Sequence, residues 1–347
     1  MALGFTVATD IVNAVLTYYV RGKTLSQSTQ NKPLLRELKS KQKSFAAGNL
    51  QISEPIQFAY ASDTPGFFVG WSEDDAINFS QAQNILRAVY PWRAVSAGLG
   101  FTWMEMMKDG VTISNNNKIS NHSQREAEVL TDLMENRMDD FNESWMRAMN
   151  LMLWSDGSQD AKAVPGLTSI ITDNPSTGTT GGISRTQYPL WQNYANLNIG
   201  VSAENQTLTR TLRTELRLLR QFGGKPNKAF CGSKVLEALE LEVQAKGLYT
   251  QSGFTKEESG DIGMTKIKML GLGTFEWDPT LDNRGQANRL YIYDDRRIKL
   301  MPMQGEENKV LTPERPYNYM VFFRNVTWVG GMTGTQNNCN GVFGVNY

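Results

Sequence analysis

The sequence predicts an α+β fold that combines one unusually long helix, a long β-hairpin and a compact unit in which helices and strands alternate. Residues 123–154 contain no Pro or Gly, and their apolar side chains recur at steps of three and four, as on one side of a helix. Residues 50–102 instead alternate apolar with polar or small residues, which is typical of strands. Residues 191–310 change between the two patterns several times. The 347 residues are enough for one to three domains with a large core.

The charge balance argues against some classes of function. Lys+Arg and Asp+Glu are both 35, so the net charge is zero. A dedicated nucleic-acid or membrane-surface binder would rest on a basic excess, although a local basic face remains possible. No apolar run approaches the ~18 residues of a membrane span, and residues 1–20 lack the basic start of a secretory signal. Two distant cysteines, Cys231 and Cys339, predict free thiols in a reducing cytoplasm rather than a disulfide framework or a zinc site.

The first 48 residues read as an arm. Residues 11–20 and 34–47 predict two short helices, and Pro33 suits the first turn of the second. Neither helix has enough apolar surface for a core of its own. Each therefore frays or lies on something else, such as a neighbouring chain.

The β-hairpin follows, with aromatic side chains at and near its tip. A turn at 63–66 separates its strands, and Gly98 and Gly100 allow the second strand to bend. An isolated hairpin is marginal in water, so exposed aromatics on a long hairpin favour a surface for a partner, unless they pack on their own domain. The aromatic candidates for contacts between subunits are Phe67, Phe68, Trp71, Tyr90 and Trp92.

The long helix is predicted to span 123–154, about 48 Å at 1.5 Å per residue. Ser123 and Glu126 form a capping box, and Asp156-Gly157 provides a stop. Its apolar stripe is too broad and too aromatic for a coiled coil, and β-rich sequence follows it. It therefore predicts a spine within one chain, covered by a sheet.

The second half predicts a Gly/Thr/Ser-rich loop at 155–186 and then the alternating α/β unit. Its first helix, at 205–222, carries leucines on one stripe and four arginines on another, namely Arg210, Arg213, Arg217 and Arg220. Clustered arginines bind phosphates or carboxylates well. The alternatives are a solvated face paired with Glu215, a contact between subunits, or contact with packaged nucleic acid. The β-rich run at 317–329 is expected to return beside the long helix.

No arrangement for catalysis is visible. His122 is the only histidine and lies in a polar linker, which suits no Ser-His-Asp or Cys-His arrangement. There is no phosphate-binding loop, no metal-ligand spacing and no dinucleotide fingerprint, so no catalytic, cofactor or metal site is predicted. The pairs 74–75, 139–140 and 294–295 are adjacent aspartates, which are expected to be solvated or salt-bridged.

One short motif carries a family resemblance. Gly181-Gly182-Ile183-Ser184-Arg185, followed after five residues by Trp191-Gln192-Asn193, resembles a segment of the major capsid proteins of tailed double-stranded DNA bacteriophages, which have the HK97-like fold. The order of the predicted elements matches that fold over nearly the whole chain.

The resemblance implies a division of the chain. Residues 1–48 would be the N-terminal arm, 56–100 the extended β-loop and 190–310 the axial domain. The peripheral domain would comprise 49–55, 101–189 and 311–347, including the spine helix at 123–154.

The resemblance also implies a function. Such proteins self-assemble into hexamers and pentamers of an icosahedral head around double-stranded DNA, so the chain would be a structural protein of the virion, assembled in the host cytoplasm. Its partners would be itself, scaffolding and portal proteins, packaged DNA on the inner face without sequence specificity, and a decoration protein. Residues 56–100 contain no Lys, so the Lys–Asn cross-link of some members is not supported in its usual place. The alternatives are an encapsulin-type bacterial compartment shell of the same fold, or a soluble enzyme with an unrecognised site.

Overall fold

The computed structural model describes residues 29–58, 60, 68–75, 84–108, 124–245, 266–269, 273–310 and 321–346. Several features noted in the sequence lie outside the described residues. They are the first arm helix, Phe67, His122 and the capping residue Ser123. The chain divides into two compact units. Unit 1 comprises Met1–Gln30, Val95–Met149 and Gly305–Trp328, and unit 2 comprises Asn31–Ala94, Asn150–Gln304 and Val329–Tyr347.

The helices of the described residues are α1 Pro33–Ser40, α2 Trp103–Lys108, α3 Gln124–Trp154, α4 Leu167–Ile170, α5 Thr207–Arg220, α6 Ser233–Ala245 and α7 Pro279–Asn283. The first strands are β1 Ile52–Gln57, β2 Ile85–Tyr90, β3 Arg93–Thr102, β4 Thr179–Thr180, β5 Ile183–Ser184, β6 Tyr194–Gly200 and β7 Lys228–Cys231. They are followed by β8 Lys266–Met269, β9 Gly273–Trp277, β10 Arg289–Tyr293, β11 Ile298–Pro302, β12 Lys309–Val310, β13 Val321–Gly334 and β14 Gly341–Asn346.

Helix α3 confirms the predicted spine, with 31 residues. In unit 1 the stripe residues Phe141 and Trp145 are half-buried and stack with ring centroids 6.4 Å apart. The Trp145 indole donates a 3.1 Å hydrogen bond to the Asn308 side chain. The last turn of α3, in unit 2, is different, because Leu153 and Trp154 are fully buried there.

A six-stranded sheet forms the centre of unit 2, in the order β6-β14-β10-β7-β9-β8. β6 runs parallel to β14 and β7 parallel to β9, whereas the other pairs are antiparallel. Because side chains alternate along a strand, Ala229 and Cys231 of β7 join the core formed with α5 and α6. Phe230 points to the other face and contacts Trp154 at 6.2 Å and Tyr293 at 5.9 Å between ring centroids.

The C-terminal strand differs from its prediction. Residues 311–347 were expected to return to the peripheral domain as one run, but β14 pairs with β6 and β10 inside the α/β sheet. Its first five residues are buried. Gly344 permits this position, since a Cβ there would lie 2.5 Å from the backbone oxygen of Leu197. By contrast, β13 confirms the predicted β-run and pairs with β3, β11 and β12.

The second arm helix, α1, is shorter than predicted and packs on its own chain. Leu34, Leu35 and Leu38 are buried, so their cover is not a neighbouring subunit. Ion pairs reinforce the contact: Arg36 binds Glu276 with two bonds of 2.7 and 2.8 Å, and Lys228 pairs with Glu37 at 2.6 Å. The sequence did not reveal this docking because the ion-pair partners, Lys228 and Glu276, lie more than 190 residues away along the chain.

Candidate subunit-contact surfaces

The base of the β1–β2 hairpin is anchored inside unit 2. The two strands are antiparallel, with Ile52 opposite Tyr90 and Gln57 opposite Ile85. Tyr90 is 5% exposed, its hydroxyl donates a 2.7 Å hydrogen bond to the Gly334 carbonyl, and burial raises its pKa above the ordinary value. Tyr90 was a candidate for contacts between subunits. Its side chain instead fixes the hairpin to its own subunit and is buried there.

The hairpin tip, which we define as residues 68–75, presents apolar side chains to solvent. Phe68 is 97% exposed and Trp71 is 63% exposed. A local turn orders Trp71: its indole donates to the Asp75 carbonyl at 2.9 Å, and the Asp75 carboxylate accepts the Ser72 amide at 3.0 Å. The tip is therefore a preformed aromatic surface. Trp92, near the hairpin base, is half-buried and donates to the Asn49 carbonyl at 3.0 Å.

The four arginines of α5 form a second surface. The opposite stripe of α5, Leu208, Leu212, Leu216 and Leu219, is buried in the core of unit 2, and all four arginines are exposed. Glu215 accepts a bond from Asn196 instead of pairing with the stripe. Among the described residues no carboxylate forms an ion pair with Arg210, Arg213 or Arg217.

A buried carboxylate from α6 holds α5 in place. Glu242 accepts hydrogen bonds from the backbone N–H groups of Leu208 at 2.7 Å and Thr209 at 2.9 Å. It thereby supplies the cap that Gln206 does not, in an orientation that the helix dipole favours. The arginine surface is thus presented on a fixed helix.

A third surface, which the sequence did not reveal, is a groove in unit 2 with a volume of about 670 Å³. Its floor includes the buried Ile56 and Trp191, and its rim includes the exposed Tyr60, Leu190 and Phe222. Its polar lining includes Arg297 and Asn337. The lining comes from segments far apart in sequence, and for this reason no local pattern predicted it.

The motif at 181–185 and 191–193 holds its own loop in place through hydrogen bonds. Trp191 donates to the Thr180 carbonyl at 3.0 Å, and Gln192 donates to the Arg185 carbonyl at 2.7 Å. Asn193 accepts from the Thr172 amide and donates to the Thr172 carbonyl. Arg185 itself donates to the Thr172 hydroxyl and the Thr177 carbonyl.

Gly181 of the motif has a separate structural role. Gly181 has φ +58°, and a Cβ there would lie 2.9 Å from the Cβ of Ala88, so only glycine fits this approach to β2. The Gly181 carbonyl also accepts the Val89 amide at 2.9 Å. Gly181 therefore ties the loop of the motif to the hairpin base.

The fold explains the acidic pair at 294–295 and the two cysteines. Asp294 and Asp295 are buried rather than solvated, but Asp294 forms the expected salt bridge, with Arg296 at 3.5 Å. Asp294 also accepts the Lys225 and Arg296 amides at 3.0 Å, which organises the turn. Cys231 and Cys339 are free and buried. Across the described residues, no cluster of three or more His, Cys, Asp or Glu is arranged to hold a metal, and no helix could span a bilayer.

Comparison with known proteins identifies the fold. No family model matches the chain, and no curated protein is similar to it in sequence. The capsid asymmetric unit of cyanophage A-1(L) is similar in structure, with a TM-score of 0.62, 14% identity and coverage of 93% of this chain and 94% of that chain. For the capsid of Myoviridae phage XM1 the TM-score is 0.54, the identity 9% and the coverage 93% and 95%.

A bacterial shell is also similar. The holo-SrpI encapsulin complex of Synechococcus elongatus PCC 7942 gives a TM-score of 0.50 at 8% identity, with coverage of 95% of this chain and 94% of that chain. At such identities the likeness is one of fold. The chain has the HK97-like fold, which confirms the predicted fold class.

Proposed function

We propose that this protein is the structural major capsid protein of a tailed bacteriophage. Copies of it would assemble into hexamers and pentamers of an icosahedral head that encloses double-stranded DNA, so its place is the virion. The observation that carries the proposal is the match of 93% of the chain to a phage capsid subunit. The exposed aromatic tip supports it, because a surface of this kind is stabilised when a neighbouring subunit covers it.

Each main element corresponds to one part of such a subunit in the proposal. We propose α3 as the spine, the β1–β2 hairpin as the extended β-loop and the six-stranded sheet with α5 and α6 as the axial domain. The strand β14 then belongs to the axial domain, which moves one boundary of the predicted division. The N-terminal boundary moves as well, because α1 is part of unit 2 and buries its leucines there.

The arginines of α5 are assigned to contacts between subunits. The exposed guanidinium groups of Arg210, Arg213 and Arg217 lie on one fixed helix and repel one another unless anions lie nearby, and a neighbouring subunit supplies carboxylates at fixed positions. Contact with packaged DNA on the inner face is the alternative. Scaffolding, portal and decoration proteins are further partners in the proposal, which assigns no catalytic step and no cofactor.

The test is assembly of the purified protein. We expect negative-stain microscopy to show rings, sheets or closed shells, and light scattering to show species far above the 38.9 kDa of one chain. A monodisperse monomer at all concentrations tested would contradict the proposal. Nucleic-acid extraction from particles purified from infected cells distinguishes a DNA-filled head from an encapsulin-type shell, which would instead contain protein cargo.

A further inference from the structure

We propose that the groove of unit 2 is a binding site for a mononucleotide, with adenine as the base that fits best. Three groups of its lining match three parts of such a ligand. The amide of Asn337 would bind the edge of the base, the ring of Phe222 would bind its face, and the guanidinium of Arg297 would bind the phosphate. This inference goes beyond the proposed function and does not depend on assembly.

The amide of Asn337 is a buried polar group that needs a partner. The residue lines the groove and is 1% exposed, and within the described part of the chain neither its Oδ1 nor its Nδ2 has a hydrogen-bond partner. An unpaired buried amide is costly, so a bound molecule that pairs with it gains affinity. Because the amide offers a donor beside an acceptor, the ligand must present an acceptor beside a donor. Adenine does so with N7 and the N6 amino group, the pair that Asn binds in protein–DNA complexes.

The rim of the groove supplies a flat face for the base. Phe222 is 46% exposed there, and Tyr60 is 65% exposed. Proteins hold unpaired bases mainly by stacking them on aromatic side chains, since every base has a π-face. A nucleobase that enters the groove would therefore cover apolar surface that water now touches.

Arg297 supplies a cation for the phosphate. Its side chain is exposed at the groove, and no carboxylate of the described residues forms an ion pair with it. A guanidinium group binds phosphate oxygens through two parallel hydrogen bonds. The described lining includes neither a carboxylate nor a second cation. It therefore matches one phosphate group rather than the backbone of a longer strand.

One loop, residues 335–338, holds the three groups in place. The Thr335 amide donates to the Arg297 carbonyl at 3.0 Å, and the Gln336 side chain donates to the Phe222 carbonyl at 3.1 Å. Asn337 is the next residue of this loop. The groove volume of about 670 Å³ lies within the ~300–1,000 Å³ of small-molecule sites. A site fixed in this way loses little conformational freedom when a ligand binds.

Calorimetric titration of AMP into the full-length protein tests the site, with dissociated subunits and assembled protein measured separately. We expect saturable binding with one AMP per chain, which inorganic phosphate at the same concentration does not displace. GMP should bind on the order of tenfold more weakly, because its O6 places an acceptor where adenine has a donor. The absence of saturable binding in both forms, or displacement by inorganic phosphate, would overturn the proposal. Equal affinity for GMP would overturn the pairing of Asn337 with N6 and N7.

Asn337→Leu separates a ligand-binding amide from a structural one. The substitution removes both polar atoms and keeps the approximate size of the side chain. Because the amide is unpaired, the Tm without ligand should not fall, whereas affinity for AMP should fall on the order of tenfold or more. AMP should raise the Tm of the unmodified protein but not that of the variant. A lower Tm with unchanged affinity would show that the amide serves folding instead.

Two surface variants test the other contacts. Phe222→Ala and Arg297→Gln change exposed side chains, so both should fold, and each should lower AMP affinity on the order of tenfold. Arg297→Gln should also abolish the preference for AMP over adenosine. Arg93→Gln, at an exposed arginine outside the groove lining, is the matched control and should bind AMP normally. Unchanged affinity in either groove variant would overturn the proposal, and normal shells without AMP binding would overturn this inference alone.

Discussion

The indole nitrogen of Trp154 donates a 2.7 Å hydrogen bond to Oδ2 of Asp278, and both residues are 0% exposed. The other oxygen of Asp278 accepts the Thr280 amide at 2.9 Å and caps α7. Arg284 donates to the Trp154 carbonyl, so the last turn of the spine is held at both its side chain and its backbone. The C-terminal end of α3 is thereby fixed to the turn that follows β9.

Trp154→Phe tests this anchor. The substitution keeps an aromatic ring for Phe230 and Tyr291 but removes the donor to Asp278. A buried carboxylate oxygen then lacks its partner, and we expect the free energy of unfolding to fall by about 1–3 kcal/mol. Urea unfolding of dissociated subunits measures the change.

The exposed Trp71 provides the matched control, since Trp71→Phe should change the same free energy by about 0.5 kcal/mol or less. Equal losses for the two variants would show that the hydrogen bond from Trp154 to Asp278 adds no stability to the folded subunit.

Trp71→Ala tests whether the hairpin tip serves assembly or folding. Its indole is 63% exposed and bonds only within its own turn, so the dissociated subunit should lose about 0.5 kcal/mol or less. Buried aromatic anchors at protein interfaces contribute about 2 kcal/mol or more each, which predicts a rise in the critical concentration for assembly of about thirtyfold or more. Light scattering across a dilution series measures it.

Trp92→Ala supplies the comparison for the tip. Trp92 is half-buried and donates to the Asn49 carbonyl, so its loss should lower subunit stability as well as assembly. If Trp71→Ala also destabilised the isolated subunit, its indole would be part of the subunit core.

Much of this architecture was predictable because it is local. The spine, the helix that became α5 and the strand that became β7 each follow from a periodic pattern within a short window. The assignment of β14 to the α/β sheet was not predictable. Its Gly-rich sequence indicates only that a strand forms. Long-range packing determines that this strand lies between β6 and β10.

The same limit applies to the candidate surfaces. The sequence identified the exposed residues of the tip, Phe68 and Trp71, because aromatics beside a turn are visible locally. It grouped Tyr90 with them, since alternation alone does not tell which face of a hairpin meets its own core. The groove needs Ile56, Leu190 and Phe222 side by side, and only the folded chain brings them together.

Arg213→Glu with Arg217→Glu tests the role of the arginine surface. Both side chains are exposed, so subunit stability should stay within about 0.5 kcal/mol. If the stripe meets carboxylates of a neighbour, shells should fail to form, and assembly of the unmodified protein should weaken as salt rises. Thr214→Ala, on the exposed side of the same helix, is the control. Normal empty shells with impaired DNA packaging would instead assign the stripe to the nucleic acid.

Alkaline pH should destabilise the subunit through its two thiols. Burial raises the pKa of Cys231 to about 12 and the pKa of Cys339 to about 12, whereas a thiol in the unfolded chain titrates near 8.5. Above that pH the unfolded state releases protons that the folded state keeps, so stability is complete below about pH 8 and falls as pH rises. For two thiols the expected loss between pH 8 and 9.5 is about 2.5 kcal/mol. Urea midpoints measured across this range give the slope. The double variant Cys231→Ala with Cys339→Ala should show a much shallower profile there, whatever its overall stability, and an equally steep profile in that variant would show that other groups cause the loss.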